Sequence, residues 1–171
     1  MIINGACHCK AVRFQITTDL TGRKAVCNCS RCQMTGFLHF HVQTTQFKLL
    51  TGWDSLTEYR FESLSAQHWF CKVCGVQAFY KSRSNPNEMD INLRCLDTDN
   101  VDIYAFEYEL TDGQNWPEWN KVRQHRFNHP NDPKTPPATK YRLLATEDPP
   151  RVVRMGPAEF RSVWEPYTKD L

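Results

Sequence analysis

Apolar and polar residues alternate with a period of two along much of the chain before residue 110. Val12, Phe14 and Ile16 alternate with polar neighbours, and Leu38, Phe40 and Val42 alternate with His39 and His41. Tyr59 and Phe61 follow, then a short run through His68, Trp69 and Phe70. Met89, Ile91 and Leu93 alternate, as do Val101, Ile103 and Ala105. Successive side chains of a strand point to opposite faces, so this pattern predicts half-buried strands. Thr51-Gly52, Ser84-Asn85-Pro86-Asn87 and Thr111-Asp112-Gly113 read as turns between them. No stretch before residue 150 carries an apolar stripe at helical spacing. The expectation is a mainly β fold.

The character of the chain shifts near residue 111. Residues 130–150 hold six prolines, Pro130, Pro133, Pro136, Pro137, Pro149 and Pro150. Proline donates no backbone hydrogen bond, so an extended, poorly paired chain is expected there. A short helix is expected beyond it, with Pro157 in its first turn and Phe160 and Trp164 on one face. The chain thus divides into a core domain, 1–110, and a proline-rich C-terminal extension, 111–171. Residues 130–171 are too proline-rich and too short to fold alone. Yet Phe160, Trp164 and Tyr167 would each gain about 1.5–3 kcal/mol on full burial. The extension is therefore expected to lie on its own core or on a second subunit, and its exchange would give a two-fold homodimer.

Composition narrows the class. With 171 residues, 40% apolar and 23% charged, the chain suits one globular domain with a tail. A net charge of +2 is too small to point to nucleic acid or a membrane surface as partner. No run approaches the roughly 18 apolar residues of a membrane span. The start of the chain, Met1-Ile2-Ile3-Asn4-Gly5, does not resemble a signal peptide, so a cytoplasmic protein is expected.

Cysteine usage changes the picture most. The chain has eight cysteines, and thiols stay reduced in the cytosol. Cys7 and Cys9 lie two apart, Cys27, Cys29 and Cys32 form Cys-x-Cys-x-x-Cys, and Cys71 and Cys74 form Cys-x-x-Cys. Such short spacings present thiolates in sets to one ion, and thiolate sets select zinc over magnesium or calcium. Cys71-Lys72-Val73-Cys74-Gly75 reads as a metal knuckle that needs a second pair. Cys7 and Cys9 could complete it, or Cys29 and Cys32 could. Either way three cysteines remain. A closed site of four ligands holds structure, whereas three ligands leave a position for water or a substrate atom. A histidine could also close the second site.

Three segments resemble one family. They are Gly5-Ala6-Cys7-His8-Cys9-Lys10-Ala11-Val12-Arg13-Phe14, Cys27-Asn28-Cys29-Ser30-Arg31-Cys32-Gln33 with Gly36, and His68-Trp69-Phe70-Cys71-Lys72-Val73-Cys74-Gly75. Ile91-Asn92-Leu93-Arg94-Cys95-Leu96-Asp97 resembles its later strand. They are similar to the glutathione-dependent formaldehyde-activating enzymes, whose domain is shared with centromere protein V. The resemblance covers residues 3–110. It implies a β-tent zinc-binding fold. It assigns Cys7, Cys9, Cys71 and Cys74 to a structural zinc, and Cys27, Cys29 and Cys32 to a second zinc where glutathione acts. The implied activity is that of a carbon–sulfur lyase type, in which a thiol such as glutathione adds to a small aldehyde such as formaldehyde. The alternatives are a glutathione-binding or protein-docking zinc module without turnover, and a zinc-water hydrolase.

Other residues carry two readings each. His39 and His41 share one strand face. They could line the open zinc position as acid–base groups or as a labile ligand, or they could form a solvent face. Arg31 and Gln33 flank Cys32 and could hold the carboxylates of glutathione, or be surface side chains. His68 reads as a packed histidine near the metal rather than a ligand, and Cys95 as a small buried residue. Trp116 and Trp119 could wall a pocket, with anchoring of the tail as the plainer reading. The basic run Lys121, Arg123, His125, Arg126 and His129 reads as a solvated face.

Overall fold

The computed structural model of the protein describes residues 1–97, 101–134, 138 and 140–142. In chain order its strands are β1 (Ile2–Ala6), β2 (Arg13–Thr17), β3 (Lys24–Cys27), β4 (Leu38–Gln43), β5 (Phe47–Thr51) and β6 (Leu56–Tyr59). They continue as β7 (Gln67–Cys71), β8 (Phe79–Lys81), β9 (Glu88–Asn92), β10 (Glu107–Thr111) and β11 (Lys140–Arg142). Two helices join them, α1 (Ser30–Thr35) and α2 (Trp116–Asn128). The fold is mainly β, as the alternation predicts.

Among the described residues the strands form two sheets. The smaller has the order β1-β2-β5, and the larger β11-β10-β3-β4-β9-β8-β7-β6. Neighbours are antiparallel except β10, which runs parallel to β3. The inward positions of the alternating runs make the core. Phe14, Ile16, Phe40 and Ile91 are fully buried. Phe14 stacks on Phe47 at 5.8 Å and meets Phe79 edge-on at 5.6 Å, which ties the small sheet to the large one.

Two sequence expectations are corrected here. Val101, Ile103 and Ala105 do not form a strand. The Asp102 carboxylate accepts from the Tyr104 backbone N–H at 2.9 Å, and its carbonyl from Ala105 at 3.2 Å. This local turn competes with ladder pairing, and the strand starts only at Glu107. The second correction is α2, in a stretch without an apolar stripe. Its partly buried positions are Trp116, Trp119, Asn120, Arg123 and Arg126, a helical spacing carried by tryptophan, amide and arginine. A hydrophobic pattern search does not see such a face. Pro117 stands in the first turn, where its missing N–H costs nothing.

The helix expected around Pro157, Phe160 and Trp164, and the burial of Tyr167, lie outside the described residues. Within the extension, β11 adds to the edge of β10. No helix among the described residues is long and apolar enough to cross a membrane.

Candidate metal centre

The β1–β2 hairpin and the turn after β7 fold alike. In the first, Lys10 N–H donates to the Cys7 carbonyl at 3.0 Å and Val12 N–H donates to the Cys7 sulfur at 3.3 Å. In the second, Gly75 N–H donates to the Cys71 carbonyl at 2.7 Å, with Gly75 at φ 75°, a conformation that favours glycine. These turns bring Cys7, Cys9, Cys71 and Cys74 together, with all four sulfurs within 4.8 Å of one another. Cys7 to Cys9 is 3.6 Å and Cys9 to Cys71 is 3.7 Å. A tetrahedron with metal–sulfur arms of about 2.3 Å has edges of about 3.8 Å, and these two sulfur–sulfur distances match it. Without a cation the set holds its protons unevenly. Burial pushes Cys7 up to about 12. For Cys74, burial is outweighed by backbone N–H bonds from Cys9 and Val76 among others, which bring it to about 6.

The second cluster is built by the end of β3, by α1 and by β4. Cys27 closes β3, and Cys29 caps α1, its sulfur accepting from Cys32 N–H at 3.4 Å. Hydrogen bonding with Cys29 raises Cys27 to about 11, and the sulfurs of Cys27 and Cys29 drive Cys32 far up. The same bonds draw Cys29 far down. Neighbouring thiolates repel one another, and a cation offsets that repulsion. The donor chemistry thus suits a soft metal ion.

Cys27 and Cys32 also form a triangle with a ring nitrogen of His39, each within 4.8 Å of the others, and Cys29 stands outside it. His39 is 4% exposed, so the solvent-face reading does not hold for it. It sits on β4, a central strand whose two faces are both covered, opposite Asn92 in register. Its Nδ1 is 2.9 Å from Asp90 Oδ2, and its Nε2 has no hydrogen-bond partner among the described residues. His41 lies further along the same face, outside the triangle, with Nε2 3.2 Å from Arg23 Nη1 and Nδ1 3.5 Å from Glu88. Burial works against the charge of Asp90, but the rings of His41 and His39 outweigh it and hold the carboxylate at about 2.

A cleft of about 360 Å³ opens above this cluster, within the size range of small-molecule sites. Its floor holds Cys27, Cys29, Cys32 and His39; α2 walls it with Trp116, Trp119 and Arg123. Trp119 lies 5.8 Å from the Arg23 guanidinium and 5.9 Å from that of Arg123, and Trp116 lies 5.0 Å from that of Arg83. Arg23 is tied to Glu109 at 2.7 Å, while Arg83 faces the exposed Glu62 at 3.8 Å. Burial and the charge of Arg23 push Arg123 below its usual range. The mouth of the cleft is rich in positive charge and suits an anion.

Of the other candidates, His68 lines the cleft and the rest fall elsewhere. Arg31 donates to Gln77 Oε1 at 2.8 Å and lies 5.5 Å from the Tyr59 ring, and Gln33 is exposed; neither lines the cleft. His68 is buried, stacks on Tyr80 at 4.7 Å, and is pushed down to about 4 by burial and then by the charge of Arg31. Burial raises the Cys95 thiol to about 12. Arg23, Arg83 and Asp90 were not singled out from the sequence. Asp90 occupies the polar position between Met89 and Ile91, which reads as a solvent face until the cross-strand His39 and His41 side chains of β4 are seen beside it.

Gly113 closes the floor. A Cβ built there would stand 2.7 Å from the Cys27 sulfur and 2.7 Å from the Cys29 Cβ. Gly113→Ala is therefore expected to displace these groups and lower the metal affinity of this cluster about tenfold or more, with the other cluster unaffected. Metal content after competition with a chelator reads this; an unchanged content would mean that the loop yields without disturbing the sulfurs.

The sequence pattern described as "Glutathione-dependent formaldehyde-activating enzyme" matches residues 2–108. Among solved structures the chain is similar to a Rhodobacter sphaeroides protein determined by crystallography. The TM-score is 0.57 and the identity 29%, over 63% of this chain and 99% of the other.

Proposed function

This chain belongs to the glutathione-dependent formaldehyde-activating enzyme family, and from that premise we propose that it adds a carboxylate-bearing thiol, glutathione or a close analogue, to a small aldehyde such as formaldehyde. The reaction is of the carbon–sulfur lyase type, at the cluster of Cys27, Cys29 and Cys32. Zinc occupies that cluster, and a second, structural zinc is held by Cys7, Cys9, Cys71 and Cys74. The sulfur spacings near 3.7 Å support zinc there.

The observation that carries the reading is one continuous cleft with thiol chemistry at its floor and arginines at its mouth. Glutathione offers a thiol flanked by carboxylates. Guanidinium groups take carboxylates with paired, directional bonds, so Arg83 and Arg123 anchor the ends while the thiol reaches inward. Trp116 and Trp119 hold those arginines in place and shield the floor from water. In the forward direction the thiol sulfur bonds to the carbonyl carbon, and the thiol proton ends on the carbonyl oxygen. No oxidant or reductant is needed. Zinc, when bound, favours the ionised sulfur near neutral pH or polarises a carbonyl oxygen.

The test is the interconversion rate of free formaldehyde, glutathione and S-hydroxymethylglutathione, followed by exchange NMR. A catalytic amount of zinc-loaded protein is expected to raise it above the spontaneous rate. Arg123→Ala is expected to raise KM for glutathione about tenfold or more, since a hydrogen bond to a charged group contributes about 1.5–3 kcal/mol. Tight glutathione binding without acceleration would replace the enzyme by a binding module. No binding at all would sink the proposal.

A further inference from the structure

The floor of the cleft holds a donor that the cysteine motif does not supply. His39 is buried, one of its ring nitrogens stands within 4.8 Å of the sulfurs of both Cys27 and Cys32, and its Nε2 lacks a hydrogen-bond partner among the described residues. A buried ring nitrogen left unpaired is costly, and native structures give such atoms a partner. The other nitrogen is committed: Nδ1 lies 2.9 Å from Asp90 Oδ2, and Asp90 is itself 1% exposed. A carboxylate accepting from Nδ1–H fixes the tautomer and leaves the Nε2 lone pair for a cation, the arrangement that orients metal-ligating histidines.

We propose that His39 is a ligand of the metal ion at the Cys27, Cys29 and Cys32 cluster, through Nε2, and that Asp90 is its positioning residue. The cluster is then a donor set of three sulfurs and one imidazole nitrogen, rather than three sulfurs alone. The neighbouring histidines do not compete. His41 stands outside the triangle, with Nε2 3.2 Å from Arg23 Nη1 and a buried Nδ1, without a hydrogen bond among the described residues, 3.5 Å from the Glu88 carboxylate; His68 Nδ1 faces Gln77 Nε2 at 3.1 Å while its ring stacks on Tyr80.

This inference rests on the reading that the cluster holds zinc, and the experiment separates the two. The full chain is loaded with two equivalents of zinc, without glutathione, and X-ray absorption at the zinc edge is recorded. Imidazole outer-shell scattering corresponding to one nitrogen per two zinc ions is expected in the wild type. It should vanish in His39→Gln and persist in His41→Gln and His68→Gln. Asp90→Asn should keep the signal but weaken zinc binding at this cluster about 10–100-fold, the usual cost of losing a partner to a metal-bound histidine. Two equivalents of zinc without imidazole scattering in the wild type, or scattering that persists in His39→Gln, overturns the ligand assignment and leaves the zinc reading standing. Uptake of only one equivalent overturns both. The wild-type spectrum decides even if a variant fails to fold.

Discussion

Replacing Cys71 by serine is expected to unfold the core of this protein. Cys71 is 1% exposed and Cys7 2%, and their sulfurs belong to the cluster that joins the β1–β2 hairpin to the turn after β7. That cluster couples the small sheet to the large one across more than sixty residues of chain, as the Cys9–Cys71 sulfur contact at 3.7 Å shows. Metal binding at such sites carries an apparent ~10–16 kcal/mol, largely coupled to folding. A domain's whole net stability is about 5–15 kcal/mol. Loss of one ligand forfeits a large share of the first figure, so the variant should lose metal and melt at or near room temperature. Cys7→Ser should behave alike. Cys95→Ser is the control. Among the described residues its thiol reaches the Gln77 carbonyl, at 3.9 Å, so a change within about 1–2 kcal/mol is expected. Thermal melting followed by circular dichroism, with metal content, decides. A Cys71→Ser protein that keeps both its melting temperature and its metal would remove this cluster from the fold's support.

Cys29→Ser is expected to have the opposite profile: a standing fold and a lost function. Cys29 is half-buried, lines the cleft and caps α1 by accepting from Cys32 N–H. Serine is among the best capping residues, so its hydroxyl should take over that bond at a cost of a few tenths of a kcal/mol. What serine does not replace is the sulfur, whose ionisation its neighbours Cys27 and Cys32 favour. A hydroxyl does not ionise near neutral pH and is a poor partner for a soft cation. Glutathione binding should fall below detection by calorimetry, and acceleration of aldehyde addition should disappear. The melting temperature should stay within a few degrees of the wild type. Full glutathione affinity in Cys29→Ser would move the thiol site away from this cluster.

The elements that were legible in the sequence are those with one covered face and one simple period. β2, β4 and β9 announced themselves because Phe14, Phe40 and Ile91 alternate with polar residues. β1, β3 and β8 did not. β3 and β8 are short, at four and three residues, and Gly5, Val26 and Tyr80 take their environment from neighbours on other strands. α2 escaped because its inward face is made of tryptophan and arginine that meet a polar cleft rather than an aliphatic core.

The chemistry divides along the same line. Short-range spacing alone determined that seven cysteines are metal-site candidates, because Cys-x-Cys and Cys-x-x-Cys bring sulfurs to one point by local turns. Which knuckle meets which was left open by spacing and assigned only by resemblance; in the structure Cys7 and Cys9 stand with Cys71 and Cys74, and Cys27 and Cys32 stand with His39. That pairing is a matter of strand order and register, which depend on contacts across the whole chain. The same holds for the Asp90–His39 bond, set by the β4–β9 register, and for the arginines that Trp116 and Trp119 hold at the cleft. Spacing fixes what one turn can gather. Only the packed sheets decide what the turns are gathered against.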